Sequence, residues 1–122
     1  MPPALTDEDR AGRDLVVTWM HDPGLDVTID GIGNVIGVRS GRTDGPPTMT
    51  GSHIDTVRTG GRYDGNLGVL AGLEVVETLE REGIQTEHPG LWVSSPTRRE
   101  RGSRRTCSAA WCTWAAWPLR KP

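Results

Sequence analysis

The spacing of apolar residues changes along the chain, and each change marks an element. Leu15, Val16, Trp19 and Met20 recur at helical spacing behind Thr6-Asp7-Glu8-Asp9, where Thr6 is a good N-cap and the acids favour the helix dipole. Pro23-Gly24 stops that helix, which is predicted over about residues 7–21. Leu25, Val27 and Ile29 then alternate with polar neighbours, the period of a half-buried strand. Gly31-Ile32-Gly33-Asn34 supplies a turn and Val35-Ile36-Gly37-Val38-Arg39 a second strand, so the two read as a hairpin. After a polar Gly/Pro loop from Ser40 to Pro47, Thr48-Met49-Thr50-Gly51 reads as a short buried strand. From Leu67 the helical period returns: Leu67, Leu70, Ala71, Leu73, Val76 and Leu79 are expected on one face, with Gly83 as the C′ residue. A strand that ends in a loop opening a helix belongs to the α/β class, whose ligands sit at the carboxyl ends of strands.

Composition divides the chain in two. Residues 1–89 carry seven Arg against fifteen Asp and Glu, a net of −8, whereas residues 90–122 carry seven Lys and Arg against the single acid Glu100, a net of +6. Trp19 stands alone in the first part, while Trp92, Trp111, Trp114 and Trp117 crowd the second, and Phe is absent. The N-terminus lacks a basic n-region and an apolar h-region, so no signal peptide is expected. No apolar run approaches the ~18–20 residues that cross a bilayer. Cys107 and Cys112 have no second pair with which to make a zinc ribbon or a disulfide framework. A cytoplasmic setting is the expectation.

The chemistry lies in Gly51-Ser52-His53-Ile54-Asp55-Thr56 and in Tyr63-Asp64-Gly65-Asn66. Side chains at i and i+2 of an extended segment share a face, so His53 and Asp55 converge. An imidazole binds zinc through one nitrogen while a carboxylate holds its other N–H, and Asp55 suits that supporting role. Asp64 returns toward the same place through Thr59-Gly60-Gly61-Arg62, and a carboxylate there can bridge two metal ions, which dinuclear hydrolases hold ~3.5–4 Å apart. Singly, each residue has an ordinary use, an Asp before Gly being a common turn former. Strand, ligand spacing, glycine loop and following helix give the metal reading together. His21 sits at a helix end and His88 precedes a proline, and neither is assigned a function.

The run from Gly51 to Gly65, continuing as Gly68-Val69-Leu70-Ala71-Gly72-Leu73-Glu74-Val75, resembles the hydantoinase/carbamoylase group of zinc-dependent amidohydrolases. That group includes allantoate amidohydrolase, N-carbamoyl-L-amino-acid hydrolase and β-ureidopropionase. Ala11 to Met20 and Asp30 to Gly37 are similar to its upstream segments, so the resemblance covers roughly residues 4–89. It implies hydrolysis of a linear amide or ureido C–N bond of a small-molecule substrate by a metal-bound hydroxide. By position, His53 is a ligand of one metal, Asp64 bridges both, and Asp55 is the catalytic supporting acid. Two zinc ions are implied, with manganese as the alternative. The implied fold is the N-terminal fragment of the catalytic domain of an aminoacylase/carboxypeptidase-like dinuclear zinc hydrolase, an α/β unit over residues 4–95. The family is homodimeric through an inserted domain that has no counterpart here, and its helix before Ala4 has none either. Without the remaining strands, apolar surface of the second helix is expected to stay uncovered and stability to be marginal.

The family also needs a T-N-E-E-G motif, one Glu as general base and the other as ligand, close to Ser95. Here the chain reads Ser95-Pro96-Thr97-Arg98-Arg99-Glu100-Arg101-Gly102. With suitable codons, the same bases read one position earlier give F-T-N-E-E-G-A-R, and Glu100 after an AGG arginine forces the glycine. Trp has the single codon TGG, so each tail Trp becomes Met, Val or Leu in the shifted frame. A single-base slip between about His88 and Ser95 is therefore expected, leaving 96–122 an out-of-frame, disordered tail and the chain inactive alone. The slip accounts jointly for the charge jump, the Trp cluster and the stray cysteines. Neither nucleic acid nor membrane is then a partner. The alternative is nucleic-acid or anionic-surface binding in which Arg98, Arg99, Arg101, Arg104 and Arg105 contact phosphates and Trp111, Trp114 and Trp117 stack on bases.

Overall fold

A computed structural model of the chain describes residues 7–31, 33–55, 61 and 63–95. The expected disorder of 96–122, and the alternative function of its arginines and tryptophans, lie outside the described residues. Helix α1 (Asp7–His21) has the bounds that its leading acids and Pro23-Gly24 predict. It ends in a Schellman turn: Gly24, at φ 83°, donates its N–H to the His21 carbonyl at 2.9 Å, and Leu25 donates to Met20 at 3.2 Å. Carbonyls that the last turn would leave orphaned are thereby paired.

The hairpin follows. Strands β1 (Asp26–Ile29) and β2 (Val35–Arg39) pair antiparallel, with Asp26 opposite Val38 and Ile29 opposite Val35. Asp30 closes the turn between them, accepting the Asn34 backbone N–H at 2.9 Å on Oδ1 and the Asn34 side-chain amide at 2.7 Å on Oδ2. Asn34 is fully buried by this clip. β1 is less buried than its alternation suggests, since Leu25 is buried, Val27 half-buried and Ile29 exposed.

Strand β3 (Thr48–His53) runs two residues beyond the expected end, so that His53 itself belongs to the strand. Helix α2 (Gly65–Arg81) leads on to strand β4 (Gly90–Ser95), which the spacing of apolar residues does not predict. The strand order is β1-β2-β4-β3. β4 lies antiparallel to β2, Val35 opposite Ser94, and parallel to β3, Thr48 opposite Gly90 and His53 opposite Ser95. The sheet is thus mixed, and β3-α2-β4 is the parallel unit whose crossover helix such pairing requires. Leu91, Trp92 and Val93 are buried on both faces, which explains why they form a continuous apolar run rather than an alternating one.

Both helices pack on one face of the sheet. Val16 and Met20 of α1 and Val69, Leu73 and Val76 of α2 form a single core with Leu25, Val35 and Trp92. By strand alternation the smaller cluster of Ile36, Leu91 and Val93 belongs to the other face. The buried stripe of α2 is Gly65, Val69, Gly72, Leu73 and Val76. This corrects the expected apolar face. Leu67 and Leu70 are exposed, because the glycines turn toward the sheet and let the helix lie close to it. A Cβ on Gly72 would stand 3.0 Å from Trp92 Cδ1.

The far end of α2 is fixed twice. Gly83, at φ 65°, donates to Glu80 at 3.1 Å and Ile84 donates to Leu79 at 2.9 Å, a second Schellman turn. Arg39 at the end of β2 reaches over to pair with Glu80 at 2.9 Å and to donate to the Ile84 carbonyl at 2.7 Å. Sheet and helix are therefore tied at the end away from His53.

Two predictions follow the helix orientation. Leu73→Ala, at a position 7% exposed, should lower the unfolding free energy by about 2–5 kcal/mol, whereas Leu67→Ala, at 58% exposure, should change it by less than about 0.5 kcal/mol, both read by urea titration of the helical circular dichroism. Gly83→Ala should cost about 1 kcal/mol in the same titration, because its positive φ is closed to side chains.

Candidate functional site

At one end of the sheet, β3 and β4 finish side by side and α2 begins above them. His53 closes β3, opposite Ser95 at the close of β4. Asp55 follows two residues later, and Asp64 occupies the N-cap position of α2. Asn34, the residue before β2, lies at the same end, since Val35 is opposite Ser94. The fold thus brings residues from β2, β3, β4 and α2 to the carboxyl ends of the parallel pair, where open α/β sheets hold ligands.

His53 and Asp55 touch. The imidazole Nδ1 lies 3.0 Å from the Asp55 carbonyl oxygen and 3.1 Å from its carboxylate Oδ1. Both oxygens are acceptors, so the proton of a neutral ring resides on Nδ1 and the lone pair on Nε2. The Asp55 side chain is nearly buried, at 8% exposure, and that of His53 half-buried at 19%. The hydrogen bond to the Asp55 carbonyl favours one tautomer, and the nearly buried carboxylate beside the ring makes the distal nitrogen a better electron-pair donor.

The ring is also pressed against the start of α2. Gly65 is buried, and a Cβ placed on it would come within 2.5 Å of His53 Cγ and Nδ1. Asp64, covalently joined to Gly65, is consequently brought to the His53 end of the helix. It caps the helix in position alone, because its side chain makes no hydrogen bond to the helix N–H groups.

Imidazole and carboxylate are donors that suit a divalent cation, so His53 and Asp64 fit part of such a site. They do not complete one, since no group of three or more His, Cys, Asp or Glu that could hold a metal is gathered among the described residues. Sequence reasoning brought His53, Asp55 and Asp64 to this end of the sheet but did not foresee Gly65 beneath the ring. The signal was the Asp-Gly pair at the start of a helix, which reads as an ordinary turn. His21 and His88 lie elsewhere, on the surface.

An apolar groove of about 680 Å³ opens between α2 and the sheet, with Thr50, Gly72, Val75 and Trp92 among its lining residues. It includes none of His53, Asp55 and Asp64. No helix among the described residues is long and apolar enough to cross a membrane.

No family model matches the chain. It is 49% identical over 86 residues to an N-carbamoyl-L-amino-acid amidohydrolase from Pseudomonas sp. (strain NS671), covering 70% of this chain and 21% of that protein. A ureidoglycolate hydrolase from Arabidopsis thaliana is 40% identical over 81 residues, which is 66% of this chain and 17% of the relative. Among solved structures, a hydantoinase/carbamoylase family amidase from Burkholderia vietnamiensis matches with a TM-score of 0.79 at 46% identity, over 97% of this chain and 29% of that one. A tripeptidase from Staphylococcus aureus, 17% identical with a TM-score of 0.64, shares the fold alone. The chain spans about a fifth of the length of the curated relatives it matches. Over about 70% of its own length, then, it is a homologue of the N-carbamoyl-L-amino-acid amidohydrolases and the hydantoinase/carbamoylase amidases.

Proposed function

We propose that residues 4–95 are the N-terminal part of the catalytic domain of a cytoplasmic, homodimeric amidohydrolase that cleaves linear amide or ureido C–N bonds in small molecules. The observation that carries this is His53. It ends a parallel strand with Nδ1 occupied by Asp55, which leaves the Nε2 lone pair as the donor beside the helix that begins with Asp64. The relatives named N-carbamoyl-L-amino-acid amidohydrolase and ureidoglycolate hydrolase favour a substrate with a ureido carbonyl, such as an N-carbamoyl amino acid, ureidoglycolate or allantoate.

His53 would hold one divalent ion through Nε2, and Asp64 would bridge it to a second. When bound, such a pair, zinc or alternatively manganese, polarises a carbonyl and activates water. Asp55 acts behind His53: it fixes the tautomer and raises the basicity of the donating nitrogen. A catalytic zinc takes three protein ligands and an open position, more than His53 and Asp64 provide. The general base and remaining ligands would come from a longer product.

Residues 96–122 are read as the result of a single-base slip. Strand β4 supports a slip at the C-terminal edge of the window from His88 to Ser95, because Leu91, Trp92 and Val93 pair and pack centrally in the present frame.

An independent nucleotide read from the His88 codon to beyond Pro122 should differ by one base near the Ser95 codon and restore T-N-E-E-G; an unchanged frame would sink the slip. The present chain should release no ammonia from N-carbamoyl amino acids, ureidoglycolate or allantoate with zinc or manganese supplied, and measurable metal-dependent turnover would contradict its incompleteness. In the restored full-length product, Asp55→Asn should weaken metal affinity by about 10–100-fold, read by competition with a chromophoric chelator.

A further inference from the structure

The first residue of α2 cannot carry a side chain without moving His53. A Cβ on Gly65 would come within 2.5 Å of His53 Cγ and Nδ1, and nearer still to the His53 carbonyl oxygen. Real Cβ atoms essentially never approach so closely, and the strand backbone cannot swing away as a flexible chain end could. The other glycines of the helix meet different neighbours, Gly68 the Ser52 side chain and Gly72 the Trp92 indole. Among the glycines of α2, contact with the imidazole belongs to Gly65.

The ring is thus held by two groups that fix different things. Asp55, through the carbonyl oxygen at 3.0 Å and the carboxylate at 3.1 Å, decides which nitrogen carries the proton. Gly65 decides how closely the ring lies against the first turn of the helix, and so which rotamer it keeps. A ring pushed off that turn would lose its short reach to Asp55 as well. Asp64 immediately precedes Gly65 in the chain, so the same approach bears on its separation from His53.

We propose that Gly65 is a positioning residue: its missing side chain seats the His53 imidazole against the start of α2, holding one rotamer and one tautomer. The seating stands on the contacts alone. Its consequence, that Nε2 and the Asp64 carboxylate address one divalent cation, rests on the function proposed above.

The test uses the whole chain and zinc ion alone. In the unsubstituted protein, long-range proton–nitrogen spectra should show His53 as a single Nδ1–H tautomer, and cross-relaxation should connect the Gly65 α-protons to the His53 ring. Gly65→Ala should abolish that connection and average the tautomer. Zinc affinity by calorimetry should fall by about 10-fold or more. Gly12→Ala is the control, since a Cβ there makes an ordinary contact with Ile54 at 3.7 Å, and it should alter none of these signals. A His53 tautomer unchanged in Gly65→Ala, or no cross-relaxation in the unsubstituted chain, overturns the seat. If Gly65→Ala fails to fold, the unsubstituted chain still decides through its own cross-relaxation and tautomer. Should the unsubstituted chain take up no zinc while its ring is seated, the seat survives and the shared address of Nε2 and Asp64 in this chain is overturned.

Discussion

The hydrogen bonds of strand Gly90–Ser95 hold the rest of the molecule in place. Its backbone pairs antiparallel with Val35–Arg39 on one edge and parallel with Thr48–His53 on the other. Without it the hairpin that starts with Asp26 and the strand that ends with His53 would share no sheet. It also contributes Leu91, Trp92 and Val93, all buried, and each such side chain is worth roughly 1.5–3 kcal/mol relative to exposure. These contacts are made to residues far back in the chain, so their loop-closure entropy is spent before any of them forms. The parallel pairing sets His53 beside Ser95 at the end of the sheet.

Much of this was legible in the sequence, and the parts that were not share a cause. The first helix was marked at both ends, by Asp7, Glu8 and Asp9 and by Pro23-Gly24, and its bounds agree with the structure. The hairpin was marked by its glycine turn, and the closeness of His53 and Asp55 by their spacing in an extended segment. Strand Gly90–Ser95 escaped because a strand covered on both faces carries no alternation, and because Trp92 resembles the tryptophans that follow it. The inner face of the second helix escaped because leucines carry a hydrophobic signal and glycines do not. The close approach of that helix to the sheet, at Gly65, Gly68 and Gly72, turns on atoms that are absent. Pattern reading weighs what a side chain adds and is blind to what its lack permits.

The separation of the described contacts into two groups has a chemical meaning. At one end, Arg39 ties strand to helix through Glu80 and Ile84, and the helix terminus is closed by Gly83. At the other, the His53 imidazole meets Asp55 and lies against the first turn of the helix. Fastening at the far end steadies the helix whose first turn lies against His53. A chain that spans about a fifth of its curated relatives carries this arrangement already formed.

The outer side of the second helix shows what the fold leaves undone. Leu67 and Leu70 stand exposed on the helix whose inner side anchors the core. To the quality-control machinery of a cell, a helix apolar on both sides is indistinguishable from one still waiting for its neighbours. Chaperones bind exposed apolar surface, so recognition of this chain would fall on the outer leucines of its helix and leave the packed sheet beneath untouched.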